Sequence, residues 1–177
     1  SFEISEDYIL IIDRDKDYFK IYNKKKQEIV LESYDSLFRK IDDKQKGISL
    51  TKKEEELFTG LGQDVEGELY IEDVERRCWN EWNGYDYLGS NSVPFYLSNK
   101  GYGIFLDTSY PSRFVFGKGE IQPKPIAHDV MAKSPFEWEE KACVNAEDQI
   151  TILGWEEKTL DFYIFLGDIN EVNQKYY

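Results

Sequence analysis

The sequence predicts an all-β chain: an antiparallel β-sandwich with one short C-terminal helix. Three observations carry that expectation. Apolar and aromatic residues recur with a period of two rather than 3.6, in short runs spaced roughly ten residues apart. Turn-forming residues bound each run. Over 177 positions, 41 % hydrophobic and 16 % aromatic residues supply enough apolar material for one buried core and exclude a disordered acidic tail.

The elements follow in order. Strands are read at 8–12, 18–22 and 28–31, separated by the turns Asp13-Arg-Asp15 and Asn23-Lys-Lys25. Two more, at 95–97 and 103–106, flank Ser98-Asn-Lys-Gly101, where Gly101 can supply the positive φ of a hairpin turn. Pro94 stands where a strand begins and a missing N–H costs little. Phe95, Leu97, Tyr102, Ile104 and Leu106 alternate across this pair. Phe114-Val-Phe116 runs into Gly117-Lys-Gly119, and the run 161–166 into Gly167-Asp168. The helix is expected from Asp168, as its cap, to Tyr177, with Ile169, Val172 and Tyr176 at helical spacing. No repeat or low-complexity linker divides the chain, so residues 1–177 are read as a single domain. It starts at Ser1 without an initiator Met and stops inside an amphipathic helix, so the natural polypeptide is expected to be longer.

Charge narrows the classes of partner. With 22 Lys+Arg against 35 Asp+Glu the net charge is −13, divided as −2 over residues 1–57 and −11 over 58–177. Nucleic acid and anionic membrane are therefore not expected as partners, because phosphate contacts need clustered Lys and Arg. No apolar run approaches the ~20 residues of a membrane-spanning helix. The charged runs 13–17, 24–26 and 52–56 read as solvated turns and strand edges. Two cysteines, Cys78 and Cys143, make no disulfide framework, so a reducing, cytoplasmic setting is the expectation and one structural bridge the alternative.

Chemistry-bearing motifs are few. The lone His128, in the Pro-rich stretch 122–128, cannot build a histidine triad or a multi-histidine metal site and reads as an ordinary loop residue. Neither cysteine has a CxxC partner, and no phosphate-binding glycine loop or nucleophile elbow occurs, so no metal and no cofactor is expected. One region stands apart. Residues 78–92 pack two Trp, two Tyr, three Asn, one Glu and one Asp into fifteen positions. Flat rings stack on the apolar faces of sugars while Asn, Asp and Glu fix hydroxyl groups, and the same mixture also serves plain loop packing. Both readings stand on composition.

Four strings then follow one another: Thr59-Gly-Leu-Gly-Gln63, Trp79-Asn80, Val93-Pro-Phe-Tyr-Leu-Ser-Asn-Lys-Gly-Tyr-Gly-Ile-Phe-Leu-Asp107 and Leu160-Asp-Phe-Tyr-Ile-Phe-Leu-Gly167. In this order they resemble the N-terminal, galactose-mutarotase-like β-sandwich domain of glycoside hydrolase family 31, the α-glucosidase and α-xylosidase family, over roughly residues 18–177. The resemblance implies a mutarotase-like supersandwich whose C-terminal helix leads towards a (β/α)8 barrel that this chain lacks. It implies a parent that is a retaining α-glycosidase or related transglycosylase, with its catalytic aspartates on that barrel and no catalytic residue here. It gives residues 80–92 the role of a loop over the barrel mouth, on the leaving-group side of the sugar site. Trp82 is the first candidate for sugar contact, with Asn80, Glu81, Tyr85 and Asp86 beside it. Many family members carry an Asp two residues after the Asn; here Trp82 holds that place, which shifts the expectation towards aromatic stacking and leaves Glu81 or Asp86 as the substitute carboxylate. The implied partners are the chain's own C-terminal barrel and an α-linked oligosaccharide or α-glycoside. The competing reading is a free-standing carbohydrate-binding module with Trp79, Trp82, Tyr85 and Tyr87 as its platform. A mutarotase-type epimerase would use a histidine pair, and His128 stands alone.

Overall fold

The period-two runs become strands of two facing antiparallel sheets. The computed structural model describes residues 1–40, 45–62, 70–71, 75–78, 93–110, 112–121, 143–155 and 159–176. The strands are β1 (Phe2–Glu3), β2 (Tyr8–Asp13), β3 (Tyr18–Asn23), β4 (Glu28–Lys40), β5 (Gln45–Thr51), β6 (Phe58–Gly60) and β7 (Glu75–Cys78). Then come β8 (Phe95–Ser98), β9 (Tyr102–Asp107), β10 (Ser112–Phe116), β11 (Gly119–Ile121), β12 (Cys143–Asn145), β13 (Gln149–Trp155), β14 (Asp161–Leu166) and the helix α1 (Ile169–Tyr176). Eight strands form the large sheet in the order β1-β2-β3-β4-β5-β13-β10-β7, four form the small sheet in the order β14-β9-β8-β6, and β11 pairs with β12 apart from both.

One core lies between the sheets. Ile48 and Leu50 of β5, Phe114 of β10 and Ile150 and Ile152 of β13 meet Tyr96, Ile104 and Leu106 of the small sheet, all at 0 % exposure. Aromatic rings lock the sheets together. Phe58 stacks on Phe116 at 4.4 Å between centroids, and Tyr96 sets its edge against Phe114 and Phe116 at 6.0 and 5.2 Å. The outward side of the large sheet is polar yet buried: Gln149 Nε2 donates to Ser49 Oγ at 2.6 Å, Thr151 Oγ1 to Asn145 Oδ1 at 2.8 Å, and Arg39 Nη1 to Thr151 Oγ1 at 3.0 Å. Such groups are stable inside a protein only when paired.

Two expectations change on contact with the structure, and a third gains detail. The five alternating apolar residues of the β8–β9 hairpin divide between two faces: Tyr102, Ile104 and Leu106 enter the core, whereas Phe95 and Leu97 form a second cluster with Val172 of α1 on the other side. The third strand does not stop near Leu31 but continues to Lys40, because β4 bulges between Ser33 and Phe38 and breaks its alternation. The run 52–56 is not wholly solvated: Glu56 is buried, accepting Ser98 Oγ at 2.5 Å and the Lys53 amide at 2.7 Å. Its partner is 42 residues away, so the charge pattern gave no hint of it.

The expected helix forms through a capping box. Asp168 Oδ1 accepts the Glu171 amide at 2.9 Å, and Glu171 Oε2 accepts the Asp168 amide at 3.0 Å. Val172 is fully buried against the small sheet. Gly103 permits that approach, since a Cβ there would stand 3.0 Å from both Val172 Cγ1 and Leu97 Cδ2. Among the described residues, no helix is long and apolar enough to cross a membrane.

Candidate functional site

Three of the recognisable strings, in their described residues, reach one end of the sandwich. Ser112 pairs with Cys78 on one side and Gly154 on the other, which places the end of β7 beside the start of β10 and the end of β13. The Leu61 amide donates to Phe95 O at 2.7 Å and the Leu106 amide to Pro94 O at 2.8 Å, so the end of β6, the start of β8 and the end of β9 join the same end. Asp107 and Asp161 lie directly opposite each other on β9 and β14, both exposed. Like charges facing across a ladder destabilise slightly. Tyr110, 46 % exposed, stands in the turn that follows β9.

The Gly60-Leu61-Gly62 turn positions this end. All three residues have positive φ (117°, 63° and 103°), a conformation that glycine adopts freely and leucine only under constraint. A Cβ at Gly60 would lie 2.5 Å from Phe95 O. Burial of the Leu61 side chain and its amide bond to Phe95 hold the strained residue in place. The motif that reads as a family mark in the sequence is thus a sharp reversal that lets β6 meet β8.

The two described residues that bound 79–92 touch: Cys78 Sγ lies 3.7 Å from Val93 O and 3.9 Å from Leu61 O. Burial pushes the Cys78 thiol up to about 12, which holds it neutral, and Cys78 is a free cysteine. Cys78 was set aside in the sequence as lacking a metal partner; its place, at the neck of the aromatic segment, needed the fold. Asn80, Glu81, Trp82, Tyr85 and Asp86 lie outside the described residues, as do Trp79, Tyr87 and His128. Among the described residues, no group of three or more His, Cys, Asp or Glu side chains could hold a metal ion.

Sequence and structure comparisons agree with this fold. The glycosyl hydrolase 31 N-terminal galactose mutarotase-like domain matches residues 1–114. Among curated protein sequences nothing matches. Among solved structures, a family 31 dextranase of Flavobacterium johnsoniae, in complex with glucose, superposes with a TM-score of 0.71 at 21 % identity, over 97 % of this chain and 18 % of that one. A family 31 α-xylosidase from a soil metagenome, complexed with xylose, gives 0.56 at 14 % identity, over 98 % of this chain and 27 % of that one. The cycloalternan-forming enzyme of Listeria monocytogenes gives 0.54 at 15 % identity, over 98 % and 16 %. Identities this low speak for the fold alone, and the chain spans well under a third of each of those proteins. The family match is of another kind, for residues 1–114 include the Gly60 turn and the whole β8–β9 hairpin: the chain belongs to the glycosyl hydrolase 31 N-terminal galactose mutarotase-like domain family.

Proposed function

We propose that this domain supports the catalytic barrel of a retaining α-glycosidase, or of a related transglycosylase, and lends residues 79–92 to its substrate site. The observation that carries the reading is the neck at Cys78 and Val93, which fixes both boundaries of the aromatic segment at the end of the sandwich where β6, β8, β9 and β14 also terminate. A rigid base under a short aromatic segment orients stacking rings at little entropic cost. Trp82 then stacks on the apolar face of a sugar next to the scissile bond, Asn80 and Tyr85 bond its hydroxyl groups, and Glu81 or Asp86 supplies the carboxylate contact. The bond-breaking carboxyl pair of a retaining enzyme, about 5–5.5 Å apart, belongs to the barrel, so the domain alone is silent. A free, buried Cys78 thiol fits a reducing, cytoplasmic setting.

Assays of the 177-residue chain and of the longer polypeptide on aryl α-glucosides and α-xylosides test this reading. Turnover is expected only from the longer polypeptide. Turnover by the chain alone would overturn its silence, and an inactive longer polypeptide would overturn the family activity. Calorimetry with maltose and isomaltose oligomers separates the carbohydrate-binding module: binding by the chain alone at millimolar or lower concentration would favour it.

A further inference from the structure

The small sheet is half as wide as the sheet it faces. Its edge is β14, which pairs among the described residues with β9 alone. Past that edge, among the described residues, the inner face of β2 and the bulged part of β4 stay partly uncovered around the buried Phe19 and Ile21 of β3, leaving an apolar groove of about 720 Å3. Leu10, Ile12, Ile21 and Phe38 line one side, and Phe162 and Ile164 of β14 line the other. Ile12 is 44 % and Phe38 64 % exposed.

Among the described residues, the backbone of β14 at Phe162 and Ile164 has no strand partner on the same side. The Gly167 amide donates to Gly101 O at 3.1 Å, and the register continues through Phe165↔Gly103, Tyr163↔Phe105 and Asp161↔Asp107. Antiparallel pairs alternate between bonded and non-bonded, so the odd-numbered residues bond β9 while Phe162 and Ile164 turn N–H and C=O to the free edge. Both side chains line the groove, as does that of Leu166 at the end of the strand. Free edges in folded proteins are usually blunted by Lys, Pro, a bulge or a cover. β14 reads Asp-Phe-Tyr-Ile-Phe-Leu with an unbroken register, and only its first residue is charged.

We propose that a β-strand from another part of the longer polypeptide adds to β14 through Phe162 and Ile164 and sinks alternate apolar side chains into this groove. The inference rests on the reading that the domain is one part of a longer protein. An extended strand meets both demands of the site, since a helix has no free N–H and C=O groups to offer an edge and scattered side chains would leave the edge unpaired. A second copy is disfavoured twice. Each copy carries a net charge of −13, and pairing of β14 with its own dyad mate would drive the two overhanging large sheets into each other.

Amide hydrogen exchange, followed residue by residue in the 177-residue chain and in the longer polypeptide, tests this. In the longer polypeptide Phe162 and Ile164 are expected to exchange about 100-fold more slowly, while Tyr163 and Phe165, already bonded to β9, change by less than about tenfold. Equal exchange of Phe162 and Ile164 in both proteins would overturn the proposal. Protection in the 177-residue chain that grows with its concentration would assign the edge to a second copy and also overturn it. As an independent arm, Ile12→Lys is expected to lower the thermal midpoint of the longer polypeptide and to leave that of the 177-residue chain unchanged; equal shifts would contradict the proposal. Glycoside turnover remains a separate readout: edge protection in an inactive polypeptide keeps this inference and removes the family activity, and turnover without protection does the reverse.

Discussion

Where the small sheet lies across β5, β10 and β13, Ile48, Leu50, Phe114, Ile150 and Ile152 have no exposure at all; on β2 and the bulged part of β4, Ile12 keeps 44 % and Phe38 64 %. The residue types are alike, and both sets lie on strands of one sheet. What differs is the layer opposite. A strand's hydrophobic face is stabilised only by the area a facing layer removes from water, so eight strands against four make a firm half and an unfinished half. The firm half also carries the neck at Cys78 and Val93, the two described residues that bound 79–92.

Substitutions can break this comparison, beginning with the largest effect. Ile152→Ala in the closed half should cost about 3 kcal/mol, read by denaturant unfolding, because the site cannot collapse around the cavity. A cost below about 1 kcal/mol would mean that the closed half is not what holds the fold. Gly60→Ala should cost about 2–3 kcal/mol, since a Cβ would press on Phe95 O from a backbone of φ 117°. A milder loss is expected on making the solution alkaline. Burial raises the Cys78 thiol from 9.0 to about 12 and the Tyr96 and Tyr102 phenols well above 10.0. The unfolded chain gives up these protons first, so stability is complete below about pH 9 and is lost as pH rises through the folded values. Lys53, lowered from 10.5 by burial, works in the opposite sense and only softens the decline. Cys78→Ala should flatten its first part, between about pH 9 and 10, in thermal melts. The smallest effect is expected in the open half: Ile12→Ser should stay within about 0.5 kcal/mol in the 177-residue chain.

Strands within the closed half also differed in how readable they were. The β8–β9 hairpin was legible because Pro94 and Gly101 mark its limits and the apolar residues between them repeat every second place. β5 and β13 escaped notice, since each alternates core residues with Gly47 and Ser49 or Gln149 and Thr151, whose polar groups are buried by pairing with each other. Periodicity treats such residues as solvent-facing. For the same reason Glu56 read as solvated, when its carboxylate is held by Ser98 in the sandwich. At the candidate site the sequence located the aromatic segment and the strand after it, but not the neck, because Cys78 and Val93 meet only once β7 and β8 have joined different sheets. Trp82 and its neighbours lie outside the described residues, so their role rests on the resemblance and the boundaries.

Kinetics of Trp82→Ala in the longer polypeptide test the central claim most directly. If the aromatic segment finishes a sugar pocket built mainly elsewhere, kcat/KM on aryl α-glycosides should fall by about tenfold or more while the thermal midpoint stays unchanged. Unaltered kcat and KM would contradict the account and return the aromatic residues to packing.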